Sequence, residues 1–578
     1  MICQGERFGE CRLATTPRAE TCDGLDNDCD GAIDEGLQDC TACGEDCTIL
    51  GLGPGTEHPF TQGEAQGGDV RVTPAGELSL EAEERILNDV WIANTDEGTV
   101  SRLDAATGKE IGRYPSVRGR PELRPWNELC DKRERREKGN CPSRTAVTME
   151  GDVFVANRAF AGQGSLTKIL GAGCPDENGD GFVRTSFDAN GDGRIDLASS
   201  EEFTGQQDEC VAFTVPVGPS GGILRALAVD PFDPPGSGSV WVGAYAESAV
   251  YKVDAATGEL LARLALPIRP YGAVMDRNRV LWITALAGED DALVAVDTAE
   301  ETVGPSIPIR NPRSCSDHRS KGGYGIAIDG VGRIWLGGWF CEDALRYDPF
   351  NEEWFAVHLQ GRGYPRGIVV DSAGTVWVAH SHQAYSPFAL VGRVSSFRAE
   401  DGGELKQYEL EGQGETIGVG IDSAGKVWAV SKASDTATTI DPVTGEMQHH
   451  PVGRGPYTYS DFTGYTLRTF VTPSGLWTMA LSACTDRQHR PEWLKLRWEE
   501  ERPPGTRLQL YVRAADHPSA LAGAYRYGPF TSSPADLAEA RVPRATFLQV
   551  EVEMQAANRD TAPIVRWIRV EAKCPPAG

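Results

Sequence analysis

The 578-residue sequence predicts an all-β protein: a seven-bladed β-propeller set between an N-terminal Cys- and Asp-rich segment and a C-terminal β-sandwich. Three observations predict it. A strand–turn–strand unit carrying Trp recurs through the middle of the chain. Alternating apolar and polar residues take over near the C-terminus. The 66 glycines and 36 prolines are spread along the whole length, as a chain of many turns requires. The division implied is 1–48 for the Cys-rich segment and 49–84 for a linker and lead-in strand. Residues 85–474 form the propeller, with an insertion at 174–210, and 475–578 form the sandwich.

The N-terminal segment reads CDGLDNDCDGAIDEG from Cys22. Asp26, Asp28, Asp30 and Asp34 fall at loop positions 1, 3, 5 and 9, with Gly31 at the sharp turn. A hard cation such as calcium takes about 6–8 oxygens at ~2.3–2.6 Å, and this spacing wraps carboxylates around one centre. The segment resembles the MopE-type metal-binding motif over Glu20–Glu35, and its all-carboxylate set favours calcium over a softer metal.

In the middle, YGIAIDGVGRIWLGG from Tyr324, RGIVVDSAGTVWVAH from Arg366 and IGVGIDSAGKVWAVS from Ile417 are near copies. Each reads as a strand, an Asp-x-x-Gly turn and a second strand with Trp, the pattern of a β-hairpin. Weaker copies centre on Trp91, Phe154, Trp241 and Trp282. A second turn follows in Asp104–Gly108, Asp254–Gly258 and Asp441–Gly445, so the unit has four strands. Four strands repeated about every 40–50 residues are propeller blades, with Trp as the core between them. The stretch Asp461–Arg468 is read as joining the ring to the sandwich and completing the last blade.

The insertion carries DENGDGFVRTSFDANGDGRID from Asp176. Its first loop offers Asp176, Asn178 and Asp180; its second offers Asp188, Asn190, Asp192 and Asp196. Phe187 and Ser199 stand where an EF-hand has its bidentate Glu, so these are calcium loops of the extracellular structural kind. After about Trp477, segments such as Arg507-Leu-Gln-Leu-Tyr-Val-Arg513 and Phe547-Leu-Gln-Val-Glu-Val-Glu553 alternate strictly, as a half-buried sandwich does.

Fifteen cysteines are expected to staple loops, as Cys130/Cys141, Cys174/Cys210 and Cys315/Cys341, with Cys484 and Cys574 bracketing the C-terminal region. That implies an oxidising compartment, extracellular, cell-surface or periplasmic, with the export signal lying upstream of residue 1. A net charge of −28 without a basic stripe argues against nucleic acid as a partner. No run approaches ~18 apolar residues, which argues against membrane insertion.

The repeated unit resembles the streptogramin (virginiamycin B) lyase-like propellers, relatives of NHL-type repeats. That resemblance implies an elimination chemistry run by His, Glu and magnesium at one mouth of the channel. The positions matching the family's His are Arg225, Tyr271, Tyr324, Arg366 and Ile417. Those matching its Glu are Asn94, Asn157, Ala244, Ala285, Gly338, His380 and Ser431. The acid–base set does not carry over, which leaves His380 and His382 as the catalytic or metal-binding candidates at the mouth.

Together Arg225, Tyr271, Tyr324, Trp339, Arg366 and His380 suit an anionic or planar group more than proton abstraction. The expected function is a secreted or cell-surface, calcium-binding propeller that acts in binding, adhesion or as a scaffold. Its face would take a protein or carbohydrate ligand. The rivals are a lyase-like or hydrolytic enzyme at the mouth, and a subunit of an extracellular assembly that docks through the N-terminal region.

Overall fold

The computed structural model describes residues 47–578 apart from 69, 81–86, 120–139, 232, 234–237, 287–289, 314–322, 340–341, 361–362, 382–390, 471–472, 485–489, 505, 557–560 and 575–578. The expected sites at Asp26, Asp28, Asp30, Asp34 and His382, and Cys130, Cys315 and Cys341, lie outside the described residues. The chain divides into two compact units, residues 82–472 and residues 1–81 with 473–578.

The larger unit is the propeller. Seven sheets follow one another in chain order, the first strands starting at Asp89, Cys141, Leu224, Pro270, Ile326, Tyr364 and Thr416. Six have four strands or more in antiparallel meander order, and the first sheet has three of its own, Asp89–Asn94, Thr99–Asp104 and Glu110–Pro115. The first strand of each sheet adjoins that of the next.

The recurrent Asp-x-x-Gly turn explains the local fold. Asp329 accepts the N–H of Val331 and Arg333, and Gly332 takes φ 89°, a region open to glycine. Asp371 and Asp422 head the same turn, with Gly374 at φ 80° and Gly425 at φ 81°. The Trp that follows is buried between sheets: Trp335 and Trp428 are fully covered, among apolar residues of neighbouring blades.

The ring closes through the chain after the seventh sheet. Tyr457 donates its N–H to Ala93 O, Trp91 to Phe462 O, and Thr95 to Gly455 O. Pro456 bridges Asn94 in antiparallel register. Residues 455–462 therefore fill the innermost position of the first sheet. This corrects the reading of Asp461–Arg468 as completing the last blade: a three-stranded first sheet leaves an edge of unpaired backbone groups, and the nearest returning strand satisfies it. The short helix Tyr465–Phe470 follows and sets Thr466 and Leu467 among the channel-lining residues, where about 60 Å³ stays open.

The smaller unit is a two-sheet sandwich. One sheet orders Val70–Val72, Leu78–Leu80, Ile564–Lys573, Glu492–Glu501 and Ala535–Asp536, with Cys47–Leu52 also on Ile564–Lys573. The other orders Ala65–Gly68, Ser474–Leu481, Phe547–Gln555, Arg507–Ala515 and Tyr527–Phe530. Trp477, Trp493, Leu510, Val550 and Ile568 fill the core. The disulfide Cys484–Cys574 staples it. Residues 49–84 were expected to be linker and lead-in strand. Instead Leu50, Leu52, Phe60, Val70, Leu78 and Leu80 belong to this same core. Their strands are short, and although Val70–Val72 pairs with Leu78–Leu80, the sheets they join are completed by strands beyond residue 473, so local alternation does not reveal them.

Candidate functional site

The first strand of each blade carries its early residues to one mouth of the channel. Arg225, Tyr271, Tyr324 and Arg366 are all buried there, and Trp339 is half-buried. Tyr324 stacks on Trp339 with centroids 4.5 Å apart and planes 9° apart. Trp339 in turn stacks on Tyr364 at 5.0 Å. The Arg366 guanidinium sits 4.6 Å from the Trp339 centroid and 5.4 Å from that of Tyr324, within cation–π range. Arg225 lies 5.3 Å from the Tyr271 ring. Trp339 holds φ at 22°, an uncommon conformation for a bulky side chain, between its two stacking partners.

Five further residues complete the cluster. Arg144 is fully buried and bonds neutral oxygens among the described residues: Ser143 O at 2.7 Å, Tyr271 O at 3.2 Å and the Tyr459 hydroxyl. Burial pushes its guanidinium down to about 9, against the pull of Tyr271. Tyr457 lies at the centre. Its hydroxyl contacts that of Tyr324 and lies 3.4 Å from that of Tyr271. Lys432 Nζ is 4.7 Å, Arg158 5.0 Å and Arg225 6.0 Å from its ring centroid.

Burial by itself raises the Tyr457 phenol. The guanidiniums of Arg225, Arg366, Arg158 and Arg144 outweigh it and bring the group down to about 6. Tyr271 and Tyr324 move the other way, raised chiefly by burial, and keep their protons.

Counting along the repeat falls on Ser143 in this blade, and Arg144 is the residue after it. Tyr457 had a usable signal: Pro456-Tyr457 repeats the Pro-x step of Pro270-Tyr271 and Pro365-Arg366. Arg158, Lys432 and Tyr459 stand outside the counted positions.

His380 is 2% exposed and pairs across its sheet with Pro365 and Arg393. Burial, with a smaller push from Arg393, lowers it to about 3, and neither ring nitrogen has a hydrogen-bond partner among the described residues. A group so low takes up a proton poorly near neutral pH, which weakens it as a general base.

The insertion is held by the disulfide Cys174–Cys210 and by buried carboxylates. Glu209 accepts the N–H of Glu177, Asn178 and Arg184, while Glu202 accepts that of Asp196. The two Asp-rich loops share one backbone arrangement. Asp176 accepts from Gly179 and Gly181, as Asp188 does from Gly191 and Gly193. Asn178 and Asn190 each accept from the residue two further on, and so do Asp180 and Asp192. Asp196 accepts from Ala198. Arg184 Nη2 already bonds Asp180 Oδ2 at 2.7 Å. Among the described residues no group of three His, Cys, Asp or Glu side chains converges as a metal cluster.

No family model and no curated protein matches the chain. Among solved structures it is similar to virginiamycin B lyase from Staphylococcus aureus, at 10% identity and a TM-score of 0.38, over 54% of this chain and 84% of that one. Kuenenia stuttgartiensis hydrazine synthase aligns at 13% identity and 0.40, over 57% and 91%. A Lactobacillus plantarum protein aligns at 11% and 0.41, over 64% and 98%. At such identities the likeness concerns the β-propeller fold alone, and the fold itself rests on the seven sheets and their closure.

Proposed function

We propose that this chain is an extracytoplasmic binding protein whose propeller mouth takes an anionic or planar group borne by a protein or carbohydrate ligand. One observation carries the reading. Arg144 is wholly buried yet bonds neutral oxygens among the described residues, and Arg366, 4% exposed, meets one carboxylate there, Glu415 at 3.4 Å. Buried cations normally gather carboxylates, so a cluster supported by aromatic faces and hydroxyls leaves charge for an incoming anion. The stacked Tyr324, Trp339 and Tyr364 offer a flat apolar wall beside it.

Binding is favoured over elimination because the blade positions where a proton-abstracting carboxylate would stand hold Asn, Ala, Gly and Ser, and His380 is buried and neutral. Calorimetric titration of the full chain with benzoate, sulfate and inorganic phosphate tests the reading. Binding of at least one, weakened tenfold or more by Arg366→Ala, is expected. Equal binding by that variant would sink it.

A second reading has its own observation. The matched N–H-to-carboxyl network of the two insertion loops supports calcium as a structural ion there, held by Asp176, Asn178 and Asp180, and by Asp188, Asn190, Asp192 and Asp196.

A further inference from the structure

We propose that Tyr457 is a phenolate that serves as the resident anion of the mouth, and that an oxyanion ligand binds there together with one proton, which converts the phenolate to a phenol. The inference deepens the anion-binding reading above and rests on it for its ligand half.

The geometry gathers hydroxyls and cations. Three phenols meet: the Tyr457 hydroxyl contacts that of Tyr324 and lies 3.4 Å from that of Tyr271. Guanidinium and ammonium groups are donors only, so a phenol proton at the centre would compete with their N–H groups for the same few oxygens. An ionised Tyr457 turns that surplus donor into an acceptor for two O–H groups and brings a negative charge among cations.

The groups that face it come from every surrounding element. Arg144 stands on Cys141–Val147, Arg158 on Val153–Arg158, Arg225 on Leu224–Asp230 and Arg366 on Tyr364–Val370. Tyr271 stands on Pro270–Met275, Lys432 directly follows Val427–Ser431, and Tyr324 precedes Ile326–Ile328. The carboxylates nearby are Glu415, which meets Arg366, Asp435, which accepts the N–H of Gly455, and Asp96, which lies beside Gly455. The downward displacement of Tyr457 agrees in direction with this arrangement.

An oxyanion brings acceptor oxygens and charge of its own. Two negative groups in one buried cluster repel, so the phenolate takes a proton from solvent as the ligand enters. The ligand class is a carboxylate, sulfate or phosphate group, and an attached ring has the Tyr324–Trp339–Tyr364 wall to stack on.

The test is ultraviolet difference spectroscopy on the full chain from pH 5 to 8, with and without inorganic phosphate or benzoate. One tyrosinate band near neutral pH is expected, titrating around pH 6 and missing in Tyr457→Phe. Arg158→Gln, which needs no change at Tyr457, is expected to move that midpoint upward. Ligand at pH 7.5 should bleach the band, with uptake of one proton and affinity that rises about tenfold per unit fall in pH above the midpoint. A missing band, or one kept by Tyr457→Phe, overturns the phenolate. Binding without proton uptake overturns the coupling. A titrating band with no binding of either probe overturns the ligand half and the proposed function together, leaving the phenolate standing.

Discussion

The indole N–H of Trp428 donates to Asp422 Oδ2 at 2.9 Å, joining the head of a blade's turn to the core residue six positions on. The same Asp accepts the N–H of Ala424 and Lys426, so one carboxylate closes the turn and orients the Trp. Asp276 with Trp282, Asp329 with Trp335 and Asp371 with Trp377 repeat the arrangement. Asp422→Ala removes all three bonds and leaves a buried indole N–H without its acceptor. A loss of about 2–3 kcal/mol is expected, read as a lower midpoint in urea by Trp fluorescence.

Gly418 lies where the seventh sheet meets the closing strand. A Cβ there would land on the Thr458 carbonyl oxygen, backbone against backbone, with no side chain free to yield. Gly418→Ala should open the ring seam. Amide exchange at Tyr457 and Trp91, whose N–H groups hold the seam, would speed up well before global unfolding. Unchanged protection at both amides would contradict the closure described here.

The Cys174–Cys210 disulfide closes 36 residues. Replacing both cysteines by Ser is expected to cost about 3–4 kcal/mol by chain entropy. Trypsin should then cut first at Arg184 and Arg194, inside the insertion. Cleavage elsewhere first would mean that the carboxylates of Glu202, Asp208 and Glu209 hold the insertion without the bond.

Calcium at the insertion loops predicts a higher melting temperature with millimolar calcium than with EDTA. It also predicts that the gain falls in Asp176→Asn with Asp188→Asn, since each loop loses its first carboxylate. Identical melting in both conditions, together with no calcium by elemental analysis, would remove the metal from these loops.

His380 makes stability pH-dependent. Its folded value of about 3 lies below the ordinary 6.5. Between those limits the unfolded chain binds a proton that the folded one refuses, so stability falls as pH drops through this window. At pH 4.5 the cost is about 2–3 kcal/mol. His380→Phe should lose less stability than the wild type between pH 7.5 and 4.5, measured by urea midpoints. An equal loss would place the acid sensitivity elsewhere.

The order of residues alone sets what lies within a hairpin's reach. The Asp-x-x-Gly turns, the Trp strands, the Cys174–Cys210 staple and the alternating sandwich strands depend on neighbours a few to a few dozen residues apart, so local spacing reveals them. It also brought Arg225, Tyr271, Tyr324 and Arg366 to one mouth, because equal positions in a repeat fall at equal places round a ring. The rest follows from contacts between distant segments. Residues 455–462 return to pair with 89–95, and residues 47–80 join strands beyond 473, because open sheet edges take whichever backbone the fold delivers. Arg144 stands one residue past the counted position and Tyr457 lies on the closing strand, and their displaced proton equilibria follow from burial among neighbours drawn from the whole ring. Periodicity along a chain carries no record of which distant charges will share one dry space.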